Sequence, residues 1–210
     1  DVSVLLLEAG PDDDAFTIRM PAAVSINIKG NRYNWQYRTE PQAALGGRTL
    51  YQPRGKVLGG SSSLNGMIFI RGHALDYDRW VDEGATGWSY ADVIPYFKRI
   101  EDFSEGDGTY RGIGGSIPVT RGWASSPLHA AFIEAGQQAG HPFSPDVNGG
   151  QQHGVSFFDK NIKCGERWSA SRGYLAPRRH RSNLRILTDA AVRRVVFDKR
   201  TATGVEVITD

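Results

Sequence analysis

The stretch from Arg54 to Ile68 reads RGKVLGGSSSLNGMI and constrains the fold more than any other part of the chain. Its adjacent glycines, Gly59 and Gly60, lack a Cβ, so the backbone can take a positive φ and approach a flat or anionic ligand closely. The serines that follow add hydroxyl groups, and Asn65 adds an amide. We therefore predict a ligand-binding loop that holds a phosphate or an oxidised ring.

The spacing within this stretch excludes two common loop types. The phosphate loop of nucleoside triphosphatases places its lysine after the second glycine, whereas Lys56 precedes the glycine pair. A nucleophile elbow needs a glycine two residues after its serine, and none of the serines here has one. The remaining alternative is a Gly/Ser-rich surface loop. The apolar continuation over residues 64–70 is not typical of a solvated linker.

The stretch resembles the first signature of the glucose-methanol-choline (GMC) oxidoreductases, and within them the choline-dehydrogenase-like flavoproteins. The matching residues are Gly55, Lys56, Leu58, Gly59, Gly60, Ser61, Ser62, Leu64, Asn65, Phe69, Gly72 and Asp78. Further family-like segments are 5–10, 33–35, Trp80 and 87–90. The resemblance implies an α/β (mixed α+β) fold, with an incomplete FAD-binding Rossmann-like domain and part of a substrate domain.

An apolar strand over residues 2–7 ends in Glu8 and is followed by Ala-Gly-Pro. This is the layout of the second strand of a dinucleotide-binding βαβ unit, where a carboxylate accepts hydrogen bonds from the adenosine ribose. We predict that Glu8 is this ribose ligand; the alternative is a surface acid at a strand end. The chain starts on this buried-type strand, without Met and without a preceding glycine-rich turn, so we expect a fragment.

The family resemblance also implies the cofactor and its other contacts. Some members attach FAD through a histidine immediately before the asparagine; Leu64 stands there, so we expect non-covalent FAD. The backbone of Val192 would pair with the adenine edge, although Val192 by itself is a typical strand core residue. The predicted cofactor-binding residues are Glu8, Gly59, Gly60, Ser61, Asn65, Gly66, Ile68 and Val192.

The implied activity is FAD-dependent oxidation of a small primary alcohol of the choline type, in which hydride passes to the flavin. The family's catalytic histidine and its partner lie beyond a point corresponding to Asp210, and no histidine here matches that motif. We therefore name no catalytic residue and expect the chain to be inactive alone. Two alternatives stay open, a non-catalytic flavin-binding scaffold and an oxygen-reducing oxidase, and the electron acceptor is unknown.

Composition limits the classes of binding partner and the cellular compartment that we expect for this chain. The formal net charge is +2 over 210 residues, which does not favour nucleic acid as a partner. The single cysteine, Cys164, allows no intrachain disulfide and no cysteine-based metal site, so a reducing cytoplasm fits best. No metal-binding histidine pair is present. No apolar run is long enough for a transmembrane helix, which leaves peripheral membrane association open.

Periodicity and capping signals predict helices at Ala74–Glu83, after the Ser89/Asp92 capping box, from Ser126-Pro127 to Gly140, and at residues 169–175. Pro95 is expected to kink the second of these helices or delay its start. The third carries an apolar stripe of Leu128, Ala131, Phe132 and Ala135.

Residues 11–52 are predicted to be irregular, with short extended pieces. Residues 184–188, 192–197 and 204–208 are predicted strands of an antiparallel meander. We assign 1–110 to the first part of the FAD-binding domain, 111–180 to a partial substrate segment, and 181–210 to the return into the FAD-binding domain.

Overall fold

The computed structural model describes residues 2–106, 108–122 and 125–209. The chain forms two compact units, Asp1–Gly66 with Gly165–Asp210 (the first unit) and Met67–Cys164 (the second unit). These bounds differ from the predicted domain bounds, and the assignment of cofactor and substrate roles to segments of the chain stays a prediction.

The elements within the described residues are mostly short. The helices are α1 (Phe16–Arg19), α2 (Val24–Lys29), α3 (Ala74–Asp82), α4 (Tyr90–Ile100) and α5 (Pro127–Gln138). The strands are β1 (Val4–Leu7), β2 (Tyr37–Arg38), β3 (Tyr51–Gln52), β4 (Ile68–Phe69), β5 (Glu101–Asp102), β6 (Ile117–Pro118), β7 (Asp159–Lys160), β8 (Ile162–Lys163), β9 (Glu166–Arg167), β10 (Leu184–Leu187), β11 (Ala190–Asp198) and β12 (Thr201–Thr209). Single 3₁₀ turns cover Pro21–Ala23, Ala43–Leu45, Gly60–Ser63 and Ala176–Arg178, and a π-helical turn covers Ser171–Leu175.

In the first unit, β1 pairs in parallel with β10, with Val4 opposite Leu184 and Leu7 opposite Leu187. The predicted meander is therefore wrong in part, because β10 joins β1 instead of lying antiparallel to β11. Of the three strands predicted to form the meander, only β11 and β12 pair antiparallel, in a hairpin closed by the predicted turn at 198–201. A local sequence pattern identifies a strand but does not say which distant strand it pairs with, and β1 lies about 180 residues away.

The core of the first unit consists of Ile18, Tyr33, Val57 and Leu64, with Ala15 packed against it. Ile18 lies in α1, which the sequence-based prediction of an irregular 11–52 segment missed together with α2. Neither helix has a side-chain hydrogen bond at its N-cap, so the usual start signal is absent. Tertiary burial, not local propensity, accounts for these short helices.

The helices predicted in the second unit are confirmed. The α3 helix ends at Asp82 before Gly84, and α4 begins at Tyr90 behind a Ser89/Asp92 capping box. Pro95 lies inside α4 and does not delay its start. The α5 helix has Ser126 as its N-cap and Pro127 at its first position.

The apolar stripe of α5 is not its buried face. Leu128 and Phe132 are 78% and 72% exposed, whereas Ile133 is 9% exposed. Gly136 explains the choice of face, because a Cβ there would lie 2.5 Å from Val155 Cγ1. The helix therefore packs through the face of Ile133 and Gly136, where its backbone can approach Val155 closely. A count of apolar residues along the helix does not reveal this face.

The described helices include none that combines the length and hydropathy of a membrane span. Within the same residues, no three His, Cys, Asp or Glu side chains gather in a way that could hold a metal ion.

Candidate functional site

The glycine-serine loop, residues 55–66, is fixed at both ends in the core of the first unit. Val57 and Leu64 are 0% and 3% exposed, and both belong to the core cluster. Between them the backbone turns with φ angles of 87° at Gly59 and 57° at Gly60. The predicted positive φ angles at the glycine pair are therefore present, in a loop anchored by apolar burial on each side.

Hydrogen bonds that involve the serine hydroxyls hold this turn together. The Gly55 N–H donates to Ser61 Oγ at 3.0 Å, which closes the loop across its mouth. On the buried side, Ser63 Oγ donates to the Leu58 carbonyl at 2.8 Å. Ser62 Oγ accepts from the Ala170 N–H at 2.9 Å, which ties the loop to the segment at the start of the π-helical turn.

The glycines of the loop have two different reasons to lack a side chain. A Cβ at Gly55 would lie 2.3 Å from the carbonyl carbon and oxygen of Gly60, so the fold itself requires glycine there. A Cβ at Gly60 or Gly66 would meet no described atom within 4 Å, and φ at Gly66 is not positive. Internal packing therefore does not explain Gly66, and its open side is available to a ligand.

A cavity of about 280 Å³ lies against the loop. Its lining is Ile28, Pro53, Arg54, Gly55, Ser61, Leu64 and Asn65. Ser61, Asn65 and Gly66 are all exposed, whereas Leu58 and Ser63 on the opposite side of the loop are buried. The loop thus presents a hydroxyl, an amide and a bare backbone on one accessible face.

Glu8 follows β1 and is half-buried. Its Oε1 accepts from the Gly10 N–H at 2.8 Å, and its carbonyl accepts from the Ala190 N–H at 2.9 Å. Burial raises the pKa of the Glu8 carboxyl, and the Gly10 hydrogen bond lowers it by less. A Cβ on Gly10 would lie 1.9 Å from the Lys56 carbonyl oxygen. The segment after Glu8 therefore packs directly on the loop.

Two predicted residues lie outside this cluster. Val192 is in β11, opposite Val207, and is 47% exposed, so it is not the core residue that its type suggested. Ile68 belongs to β4 of the second unit, where it lies opposite Lys160 and is 42% exposed. The structure thus brings Glu8, Gly59, Gly60, Ser61, Asn65 and Gly66 into one region of the first unit.

One residue that sequence reasoning missed lies beneath the loop. Arg167 is 2% exposed, and its Nη1 donates to the Asn65 carbonyl at 2.7 Å and to Asn65 Oδ1 at 3.0 Å. Burial lowers the pKa of its guanidinium to about 10. No sequence signal identifies Arg167, because arginine is usually a surface residue and its contacts are about 100 positions away.

The second unit has a cavity of its own, of about 290 Å³. Residues of its lining include Arg71, His73, Tyr90, Tyr110, Asn148 and Gln152. None of the predicted site residues lies in this lining. Its polar groups already serve the fold, since Gln152 Nε2 donates to the Arg71 carbonyl and Asn148 Oδ1 accepts from the Arg71 N–H.

The family model of the GMC oxidoreductases matches residues 22–210, which is most of the chain. The chain belongs to the GMC oxidoreductase family. The match includes the whole glycine-serine loop and both strands of the hairpin that carries Val192.

Relatives and solved structures agree with this assignment. The chain is 49% identical to mitochondrial choline dehydrogenase of Homo sapiens over 98% of its length, and it covers 36% of that enzyme. It is 38% identical to the crystal structure of pyridoxine 4-oxidase from Mesorbium loti, with a TM-score of 0.93, covering all of this chain and 42% of that one. An FAD-dependent oxidoreductase from Chaetomium thermophilum is 30% identical with a TM-score of 0.89, covering 99% of this chain and 38% of that one. The chain therefore spans little more than a third of the length of the curated relatives it matches.

Proposed function

We propose that this chain forms part of the FAD-binding region of an alcohol dehydrogenase of the choline dehydrogenase type. The observation that carries the cofactor assignment is the open face of the glycine-serine loop, where Gly66 and the cavity of about 280 Å³ leave room beside exposed polar groups. The alcohol assignment is supported by 49% identity to a choline dehydrogenase over nearly the whole chain.

The residues present fit a non-covalently held flavin. Backbone without Cβ allows close approach of a planar or anionic group, and Asn65 and Ser61 supply polar contacts on the accessible face. Leu64, which stands where a covalently linking histidine would be, is 3% exposed and packs in the core of the first unit. Position 64 thus contributes to the apolar anchor of the loop and offers no nucleophile to a cofactor.

Each predicted residue then has a defined task. Glu8 accepts hydrogen bonds from ribose hydroxyls, since its carboxylate stands directly after a parallel strand. Asn65 and Ser61 hold and orient the group bound on the open face, with Gly59, Gly60 and Gly66 permitting its approach. The backbone of Val192, in β11, pairs with the adenine edge. Ile68, in β4, lies along the bound cofactor. Bound FAD would supply acceptance of a hydride from the alcohol carbon, which becomes a carbonyl when a base also takes the hydroxyl proton; no residue of this chain is assigned as that base.

A second function is supported by one comparison. The solved structure with a TM-score of 0.93 is that of an oxidase, so oxygen as the electron acceptor is the alternative to a dehydrogenase. A non-catalytic flavin-binding scaffold is the third reading. The division into cofactor segments 1–110 and 181–210 and a substrate segment 111–180, and the cytoplasmic location, are part of the same proposal.

The test uses the full-length protein as its gene encodes it. We expect flavin absorbance near-stoichiometric with protein, and release of FAD into the supernatant when the protein is denatured by acid. Flavin that stays on the denatured protein would show the non-covalent assignment to be wrong.

Under anaerobic conditions, choline and other small primary alcohols are added to the purified protein. Bleaching of the flavin absorbance supports the alcohol dehydrogenase, and full retention of the absorbance with every alcohol supports the scaffold. Re-oxidation is then compared between oxygen and an artificial dye. Peroxide formation as fast as dye reduction favours the oxidase.

A further inference from the structure

The guanidinium of Arg167 binds the glycine-serine loop from its buried side. Besides the two contacts with Asn65, Nη1 donates to the Ser62 carbonyl at 3.2 Å, and Nε donates to the Ile18 carbonyl at 3.0 Å. One side chain thereby connects α1 with both ends of the turn from Ser62 to Asn65. The contact with Asn65 Oδ1 also fixes the orientation of that side-chain amide.

The charge of Arg167 is not matched by a carboxylate. Among the described residues, no Asp or Glu forms a salt bridge with it within 4.0 Å, and its Nη2 is buried without a hydrogen-bond partner. The neighbouring Glu166 pairs instead with Arg172. Only carbonyl and amide dipoles face the buried positive charge.

Such an arrangement is costly for stability alone. A buried charge without a counter-ion is normally avoided or replaced by an apolar side chain, which would fill the same space without the desolvation cost. A buried charge set directly behind a ligand-binding loop has a second use, because preorganised charge in a low-dielectric region stabilises negative charge that develops nearby. Asn65, the residue that Arg167 holds, is exposed on the open face.

We propose that Arg167 is a positioning residue of the cofactor site, which holds Asn65 in its flavin-binding orientation and whose buried charge favours the reduced over the oxidised flavin. This inference rests on the proposed function. Arg167 acts through Asn65 and the loop backbone, since its own guanidinium is 2% exposed.

The experiment compares three variants of the full-length protein: Arg167→Met, Arg167→Lys and, as a matched control, Arg48→Met. Arg48 is an exposed arginine of the same unit whose Nε donates to a backbone carbonyl, that of Leu45, at 3.1 Å. The measurements are the dissociation constant of oxidised FAD, from flavin fluorescence, and the midpoint potential of the bound flavin, from equilibration with reference dyes. Circular dichroism and thermal melting report folding.

For Arg167→Met we expect weaker binding of oxidised FAD. We expect binding of reduced FAD to weaken about tenfold more than that, which lowers the midpoint potential by about 30 mV for a two-electron couple. Arg167→Lys keeps the charge, but its single ammonium nitrogen cannot replace both Nε at the Ile18 carbonyl and Nη1 at Asn65. It is expected to weaken oxidised FAD binding while the midpoint potential stays near that of the wild type. Arg48→Met should change neither quantity.

Equal weakening of oxidised and reduced FAD in Arg167→Met would reduce Arg167 to a structural residue and overturn the inference. If Arg167→Met does not fold, Arg167→Lys decides: unchanged FAD binding and an unchanged flavin spectrum would overturn the positioning role. Wild-type protein that binds no FAD would overturn the proposed function, and this inference with it. Wild-type binding with Arg167→Met equal to Arg48→Met would overturn this inference alone.

Discussion

Arg167 in the first unit and Arg111 in the second are both 2% exposed, yet their surroundings differ. Arg111 meets three carboxylates: Nε donates to Glu101 Oε1 at 2.9 Å, and Nη1 donates to Asp146 Oδ1 at 2.6 Å and to Asp159 Oδ2 at 2.9 Å. Within the part of the chain that the structure describes, Arg167 meets only carbonyl and amide oxygens.

The difference also shows in the pKa values of the two guanidinium groups. Burial lowers both and is the largest single cause in each. For Arg111, the hydrogen bonds and negative charges of Glu101 and Asp146 together leave the pKa above its ordinary value, whereas burial alone accounts for the lowered pKa of Arg167. The second unit therefore balances its buried charges internally, as a structural core does. The first unit leaves a charge unbalanced beside its candidate site, which is where functional demands override stability.

The largest expected effect is on the charge cluster of the second unit. Arg111→Met leaves Asp159 buried without its cation and Glu101 with Arg71 as its remaining cation, so the free energy of unfolding should fall by about 3–5 kcal/mol. Urea denaturation of the full-length protein measures this. The control is Arg79→Met, which breaks an exposed pair with Glu83 and should cost about 0–1 kcal/mol. If both variants lose a similarly small free energy of unfolding, the charge cluster does not have this structural role.

A smaller loss is expected from Arg167→Met in the FAD-free protein. The variant leaves the partly buried Ser62 and Asn65 carbonyls without this donor but also removes an uncompensated charge, so the net cost should be about 1–3 kcal/mol. The same urea titration measures it. A loss as large as that of Arg111→Met would show that the two buried arginines are equivalent supports, and the contrast between the units would fail.

The open face of the loop offers a test that separates binding from stability. Gly66→Ala adds a Cβ that meets no described atom, so the thermal midpoint should not change. Binding of FAD should weaken by about 1–3 kcal/mol, because the methyl group occupies space that the ligand needs. Gly204→Ala in β12 is the matched control, since it also meets nothing within 4 Å but lies away from the loop. Unchanged FAD affinity in Gly66→Ala would show that the cofactor does not bind on this face of the loop.

The smallest effect concerns Glu8, which like Arg167 forms no salt bridge within 4.0 Å among the described residues. Burial raises its pKa above the ordinary value of 4.5, so the folded state holds this proton more tightly than the unfolded state does. Stability is therefore expected to fall as pH rises from 4.5 through the folded pKa, and the penalty is complete above it.

Glu8→Gln removes this titration and keeps an oxygen for the Gly10 N–H. Urea denaturation across pH 4.5 to 7 should show the wild type losing stability relative to Glu8→Gln as pH rises. A relative gain for the wild type over that range would mean that Glu8 has a compensating cation.

Much of the candidate site followed from local sequence. The glycine pair with its positive φ angles and the acid directly after β1 were predicted from residue type and spacing, and Ser61 and Asn65 were named from the family resemblance of the loop. The capping signals at Ser89 and Ser126 likewise identified the starts of α4 and α5 correctly. These features depend on the conformational freedom of glycine and on hydrogen bonds between residues a few positions apart, which a sequence states directly.

Other features depend on contacts that no local pattern records. The sequence by itself determined the family, the turn at the glycine pair and the starts of α3, α4 and α5, because each rests on neighbouring residues. Only the tertiary structure decided that β10 pairs in parallel with β1, that α5 buries Ile133 instead of its apolar stripe, and that Arg167 lies under Asn65. Burial and charge pairing join residues some 20 to 180 positions apart, so their outcome depends on the whole folded chain.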